Sequence, residues 1–385
     1  MKYFFIRTFG CQANKSDSER ISGDYLSRGF KETQDWKKAT EIVVNTCSVR
    51  QRAEDRVKGF LLNVDKYFKG ETCLQAGRPK IILTGCMLHH QTKDIIKLLP
   101  QVDEVLPINE VGFNSPTIRK DKYHAWVPIS SGCNAYCTYC IVPYSRGREA
   151  SRPPEDIFKE IKTLVKNGYR EITLLGQNVN SYGLEKTSVT LRKLLMKDSL
   201  TPKDIPSNQS AYTKPKTTPP FVKLLQEISK LKDLKTINFI TANPWDFWDE
   251  LIEEIATNKK ISRYIHLPVQ SGSNKILKAM NRGYTAQDFL KLVKKIRSQA
   301  PDVAFGTDII VGFPGETDKD FQDTVKLAKL AKFKIGFIAQ YSPRPGTASH
   351  RLLKDNISPQ VKKQRWQTLE DIINRPHLNT RPVIR

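Results

Sequence analysis

"AWVPISSGCNAYCTYC" spans residues 125–140. It joins a short apolar run to Cys133, Cys137 and Cys140, spaced CxxxCxxC, in a chain with seven cysteines altogether. The apolar run reads as a buried parallel strand. The three thiols then fall on the loop at its carboxyl end, where βα architectures keep their chemistry. His124 stands at the strand's far end and supplies no fourth ligand. Structural zinc usually takes four ligands, and three-ligand catalytic zinc sites favour histidine and carboxylate, so zinc is the lesser reading. A cubane iron–sulfur cluster fits better. Three cysteines hold three irons and leave the last open to chelate a small molecule through an amine and a carboxylate.

Downstream of the triad, "EITLLGQ", "TINFITA", "YIHLPVQ", "VAFGTDIIVGF" and "KIGFIAQY" continue the series begun by "AWVPIS". Helical stretches such as "PEDIFKEIKTLVKNG", "DFWDELIEEIA" and "TAQDFLKLVKKIRSQ" separate them. Six strands joined by helices over residues 119–372 predict an open, partial (βα)6 barrel. Residues 184–220 break the rhythm with a basic stretch rich in Thr, Ser and Pro, read as a flexible insertion with a short helix at 191–197. Residues 373–385 form a polar tail with no regular structure expected after Arg375.

Upstream, residues 1–118 alternate "KYFFIRT", "EIVVNT", "KIILTG" and "DEVLPI" with amphipathic stretches, which predicts an α/β domain with a doubly wound parallel sheet. Cys11, Cys47 and Cys86 follow its first, second and third strands. Loops at the carboxyl ends of such strands line the binding crevice, so thiols far apart in sequence can converge there. Cys73 precedes the third strand and is read as a bystander, and His89 and His90 as the start of a surface helix, with tuning of a cluster near Cys86 as the alternative.

The 385 residues carry 63 Lys and Arg against 40 Asp and Glu, a net charge of +23. Such an excess favours a polyanionic partner, because its binding releases condensed counterions. Arg146, Arg148 and Arg152 follow the third cysteine and are candidates for phosphate contacts, with an ordinary solvated loop as the plain alternative. No apolar stretch approaches the roughly 20 residues of a membrane span, and "YFFI" is too short for a signal peptide. Seven cysteines, an odd number, argue against a disulfide framework. These features predict a soluble, monomeric, cytoplasmic protein.

CxxxCxxC on the first loop of a partial barrel resembles the radical S-adenosylmethionine (SAM) enzymes. The likeness narrows. "TFGCQANKSDSER", "NTCSVRQRAEDRV" and "TGCM" resemble the N-terminal domain of the methylthiotransferases. "GCNAYCTYCIVPYSRGREASRP", "LLGQNVNSYG", "HLPVQSGSNKILKAMNRGYT", "TDIIVGFPGET" and "YSPRPGTAS" resemble their radical domain. The wording is nearest to the branch that modifies isopentenyladenosine in tRNA. The branches acting on threonylcarbamoyladenosine or on a ribosomal protein share the architecture and match less well.

The resemblance implies a 4Fe–4S cluster on Cys133, Cys137 and Cys140, whose open iron binds SAM for cleavage to a 5′-deoxyadenosyl radical. It implies a second 4Fe–4S cluster on Cys11, Cys47 and Cys86. It also implies transfer of a methylthio group to carbon 2 of the modified adenosine beside the anticodon, with tRNA, an electron donor such as flavodoxin or ferredoxin, and a sulfur donor as partners. Gln177 and Asn178 are implied contacts of the SAM amino acid end, although a strand end is often only a turn. Gln270 and Ser271 are candidates for its ribose or sulfonium side, with Ser271 or Ser273 alternatively a helix cap. Asp308 lies in the segment similar to the one beside the adenine, where Gly312 and Gly315 permit close approach and Pro314 fixes the turn. No GxGxxG fingerprint is present. A rival from another class is a non-catalytic iron–sulfur protein that binds RNA or carries electrons. The family pattern continues into a small RNA-binding β-barrel, and with the chain stopping at Arg385 that domain is read as absent.

Overall fold

The computed structural model describes residues 1–47, 51–69, 77–89, 92–111, 117–184, 201, 205 and 215–380. Cys73, His90, the expected helix at 191–197 and most of the insertion lie outside the described residues. The chain forms two compact units, Met1–Lys122 with Tyr144–Gly147, and Tyr123–Pro143 with Arg148–Arg385.

The first unit is built on five parallel strands, β1 (Tyr3–Phe9), β2 (Lys31–Glu32), β3 (Glu41–Thr46), β4 (Lys80–Gly85) and β5 (Glu104–Leu106), in the order β2-β1-β3-β4-β5. Alternate side chains serve opposite faces of the sheet. Phe4, Val43 and Ile82 pack with Ile21 and Tyr25 of helix Gln12–Ser27. Phe5, Ile42, Val44, Ile81 and Leu83 pack with Val57, Leu61 and Val64 of helix Gln51–Lys69. Both faces are covered, which is why these strands read as unbroken apolar runs. Strand order reverses direction between β1 and β3, the switch point at which open parallel sheets place their ligands. β2 is two residues long and offers no apolar run to read.

The second unit holds the six expected strands in two parallel sheets. One has β6 (His124–Pro128), β9 (Glu171–Leu175) and β10 (Thr236–Phe239) in the order β10-β9-β6. The other has β11 (Tyr264–His266), β12 (Ala304–Val311) and β13 (Ile335–Gln340) in the order β11-β12-β13. A parallel bridge from Ile237 in β10 to Ile261, just before β11, places the six strands in chain order. That succession is the partial barrel. An antiparallel pair, β7 (Ser130–Ser131) and β8 (Ala150–Ser151), clasps the base of the cysteine loop and is too short to be legible as strand. Outer helices bury Ile157, Ile161, Phe221, Leu225, Phe289 and Val293 against the sheets.

The end of the chain departs from expectation. Helix Pro359–Leu369 continues through helical turns at Glu370–Asn374 and Arg375–Thr380. Leu369 and Ile373 join the core, and the Asn374 amide both accepts from Gly336 N (2.9 Å) and donates to Gly336 O (2.8 Å). Tertiary anchoring overrides the weak local signal there.

Candidate functional site

In the first unit, Cys47 and Cys86 follow residues that are paired across β3 and β4, Thr46 with Gly85, while Phe9 of β1 pairs with Thr46 and Cys11 lies two positions on. Adjacent strands run about 4.8 Å apart, so three neighbouring strand ends present the three cysteines side by side at the switch point. Cys11 starts helix Gln12–Ser27, and Asn14 ties that start to the sheet. Its amide donates to Asn45 Oδ1 (2.8 Å) and Thr46 O (3.0 Å), and its Oδ1 accepts from Cys11 N (3.3 Å). The glycines before two of the cysteines are required. A Cβ on Gly10 would stand 2.2 Å from Asn14 Oδ1. A Cβ on Gly85, whose φ is +98°, would stand 2.2 Å from the Thr46 carbonyl oxygen.

The sequence offers Arg146 as a phosphate contact. The structure instead places it in this unit, with Nε donating to Cys86 Sγ (3.3 Å) and Nη2 to Asp17 Oδ2 (2.7 Å). Its side chain is only 6% exposed. Although Cys11 reaches solvent, protein around its sulfur pushes the thiol up, and the Arg146 charge pulls it back down.

In the second unit, Cys133 is buried and its sulfur accepts from Ala135 N (3.4 Å), while Cys137 and Cys140 are partly exposed. Burial pushes the Cys133 thiol well up, and the neighbouring Cys140 and Glu149 add to this. Cys137 Sγ accepts from Arg282 Nη1 (3.3 Å). Arg282 also donates to Tyr284 OH (3.0 Å) and Pro268 O (3.0 Å), and its guanidinium lies over the Trp245 ring at 4.6 Å. Sequence reading misses this residue, although it stands within the "MNRGYT" stretch that carries part of the family resemblance.

Around the triad the strand ends carry polar groups. Asn178 is fully buried; its Nδ2 donates to Asp246 Oδ2 (3.0 Å), and its Oδ1 has no hydrogen-bond partner among the described residues. Burial pushes the Asp246 carboxyl up to about 7; the Asn178 hydrogen bond opposes this and the Glu149 charge adds to it. Glu149 itself accepts from Ser181 Oγ at 2.8 and 3.0 Å. Asn180 and Asn243 exchange hydrogen bonds that lock the loops after β9 and β10 together. Gln177 is partly exposed beside Asn178.

The remaining candidates divide. Gln270 sits after β11 in the left-handed region, φ +69°, held by Asp308 O and Ile310 N. Thr241, after β10, is also left-handed at φ +67°, and strained backbone of this kind gathers at functional sites. The Asp308 carboxyl meets His266 Nε2 at 3.0 Å and is partly exposed. Ser271 is 0% exposed; its hydroxyl meets Thr324 Oγ1 (3.3 Å) and accepts from Ser273 N (3.2 Å). That hydroxyl is spent inside the protein, and Ser273 caps helix Asn274–Ala279. Gly312 approaches Lys362, where a Cβ would stand 2.3 Å from its Cγ, and its amide donates to Glu316. Arg152 is 5% exposed, donating to Pro128 O (2.8 Å) and Glu160 Oε2 (2.7 Å), and so braces the barrel. Arg148 is exposed.

None of the six cysteines of the two triads is in a disulfide. Three of their sulfurs accept from backbone N–H or guanidinium, the environment that suits a ligating thiolate. Among the described residues, no three Cys, His, Asp or Glu side chains are grouped to hold a single metal ion.

Six parallel strands in chain order, with three thiols on the loop after the first, define a radical SAM enzyme. Residues 127–328 match the radical SAM superfamily, and residues 3–107 match a second family described as uncharacterized protein family UPF0004. A relative from Thermotoga petrophila is 40% identical over 97% of this chain and 82% of its own length. Others from Geobacillus kaustophilus and Clostridium botulinum are 39% and 40% identical over 96% of this chain, and 68% and 81% of their own lengths. All three carry the name tRNA-2-methylthio-N(6)-dimethylallyladenosine synthase. The chain belongs to the radical SAM methylthiotransferase family. Among solved structures, the radical SAM methyltransferase TsrM from Kitasatospora setae matches with a TM-score of 0.57 at 11% identity, over 91% of this chain and 77% of that one. The cobalamin-dependent radical SAM enzyme OxsB matches at 0.53 and 8% identity, over 96% and 55%. These two likenesses concern the fold alone. Among the described residues no helix is long and apolar enough to cross a membrane.

Proposed function

We propose that this protein adds a methylthio group to carbon 2 of N6-isopentenyladenosine beside the tRNA anticodon, with a 4Fe–4S cluster on each cysteine triad and two molecules of SAM used per product. The observation that carries the reading is the pairing of two thiol triads, each at the carboxyl ends of parallel strands, in a chain 40% identical to a relative of that name. The target C–H bond is too weakly acidic for a side-chain base, so the chemistry belongs to a cofactor. Bound through Cys133, Cys137 and Cys140, a cluster supplies one-electron reduction and an open position for SAM.

The chain's own residues then have definite tasks. Asn178 Oδ1 and the Asp246 carboxyl offer buried acceptors for the ammonium end of SAM. Arg282 Nη1 donates to Cys137 Sγ and the guanidinium stays charged beside it. Cys11, Cys47 and Cys86 would hold the second cluster, which would supply the site for sulfur. The net charge of +23 favours tRNA as the polyanionic partner. Charge alone cannot choose a nucleoside, so the base is selected by being turned out into the pocket. A cytoplasmic reductant such as flavodoxin or ferredoxin and a sulfur donor complete the requirements, and the protein acts as a monomer.

The test is nucleoside mass spectrometry of tRNA from cells with and without the gene. The methylthio derivative of isopentenyladenosine should vanish with the gene while isopentenyladenosine accumulates. Loss of the methylthio group from threonylcarbamoyladenosine, or from a ribosomal protein, would reassign the substrate.

A further inference from the structure

We propose that Arg146 is a positioning residue for the N-terminal cluster, setting its reduction potential through a fixed positive charge and a hydrogen bond to a ligand sulfur. The inference rests on the reading of Cys11, Cys47 and Cys86 as cluster ligands.

The geometry is specific. Arg146 reaches this site across 60 residues of sequence from Cys86, and its two donors are divided between Cys86 Sγ at 3.3 Å and Asp17 Oδ2 at 2.7 Å. Asp17 lies on the helix that Cys11 begins, so the carboxylate that orients the guanidinium is fixed to the same element as a ligand. Both side chains are largely withdrawn from water, at 6% and 16% exposure. Burying a guanidinium is costly unless its donors meet strong acceptors. A neutral thiol is a weak acceptor, and a thiolate is a strong one. Asp17 supplies that strong acceptor and aims the guanidinium, so that its Nε faces Cys86 Sγ, where a cluster would sit.

The consequence follows from charge. A 4Fe–4S core on three thiolates is net negative, and it gains a further negative charge on reduction. A nearby cation stabilises the reduced form more than the oxidised one, and a hydrogen bond to a ligand sulfur acts in the same direction. Arg146 should thus raise the potential of this cluster.

The experiment isolates the N-terminal cluster in the full chain by replacing Cys133, Cys137 and Cys140 with alanine. Iron content and a redox titration followed by electron paramagnetic resonance are then compared with and without Arg146→Gln and Arg146→Lys. The expected result is an unchanged iron content, a more negative midpoint for Arg146→Gln, and a midpoint returned most of the way by Arg146→Lys. A midpoint unmoved by Arg146→Gln overturns the inference. So does loss of the cluster in both variants, which would make Arg146 a structural brace. If the background chain with Arg146 intact binds no cluster, the ligand reading itself fails and the inference falls with it.

Discussion

Asp246→Asn should stabilise the protein, and more so as pH rises. Burial lifts the Asp246 carboxyl from an ordinary value of 3.8 to about 7 in the folded chain. Well below pH 4 the group is protonated whether folded or unfolded, and it adds no pH dependence. Between about 4 and 7 the unfolded chain releases this proton while the folded chain keeps it. Stability therefore falls with rising pH over that window, and levels off above it. Each pH unit is worth about 1.36 kcal/mol, so the interval of roughly three units amounts to about 4 kcal/mol at most. Asparagine has the same shape, and its carbonyl can still accept from Asn178 Nδ2. From pH 5 to pH 8 the variant's advantage should widen by about 3 kcal/mol. In a chain of this size that is about 4 °C in melting temperature. The assay is a thermal melt of wild type and variant, equally loaded with iron, at half-unit pH steps. A difference between them that stays constant across pH would refute the assignment of a raised carboxyl to Asp246.

Gly85→Ala should cost about 3 kcal/mol or more, from a left-handed backbone and a Cβ forced against the Thr46 carbonyl, and a denaturant midpoint with iron analysis should show the N-terminal cluster lost along with the stability. Replacing Cys133, Cys137 and Cys140 together should halve an iron content of ~8 per chain and abolish SAM cleavage, measured as 5′-deoxyadenosine. Replacing Cys11, Cys47 or Cys86 should leave that cleavage largely intact and block methylthio transfer, whereas Cys73→Ala should do neither. Affinity for tRNA should fall steeply between low and physiological salt, seen by filter binding, because a net charge of +23 makes the contact mainly one with phosphates.

The strands, and the cysteines placed just after them, are legible because each rests on local signals. An apolar run buried on both faces looks the same wherever it falls, and a cysteine placed just after such a run lies at a strand's carboxyl end by construction. Strand order is another matter. Nothing local in "KYFFIRT" or "EIVVNT" says that these two segments become neighbours or that the sheet reverses direction between them. The arginines after Cys140 show a second limit. Sequence gives the charge of Arg146 and Arg152, but their burial depends on Asp17 and Glu160, and Asp17 lies 129 positions from its partner. Arg282 escapes notice for the same reason, since its contact with Cys137 spans 145 positions. Asp246 leaves a fainter trace, a carboxylate just beyond a strand end, which its burial makes consequential.

Residues Tyr144–Gly147 are counted with the first unit although the chain on both sides of them belongs to the second. The N-terminal unit is therefore not a contiguous stretch of gene. A fragment ending at Lys122 would carry Cys11, Cys47 and Cys86 and yet lack Arg146, stranding Asp17 without its cation. Any exchange of modules at that boundary would bring together an N-terminal segment and a foreign arginine loop.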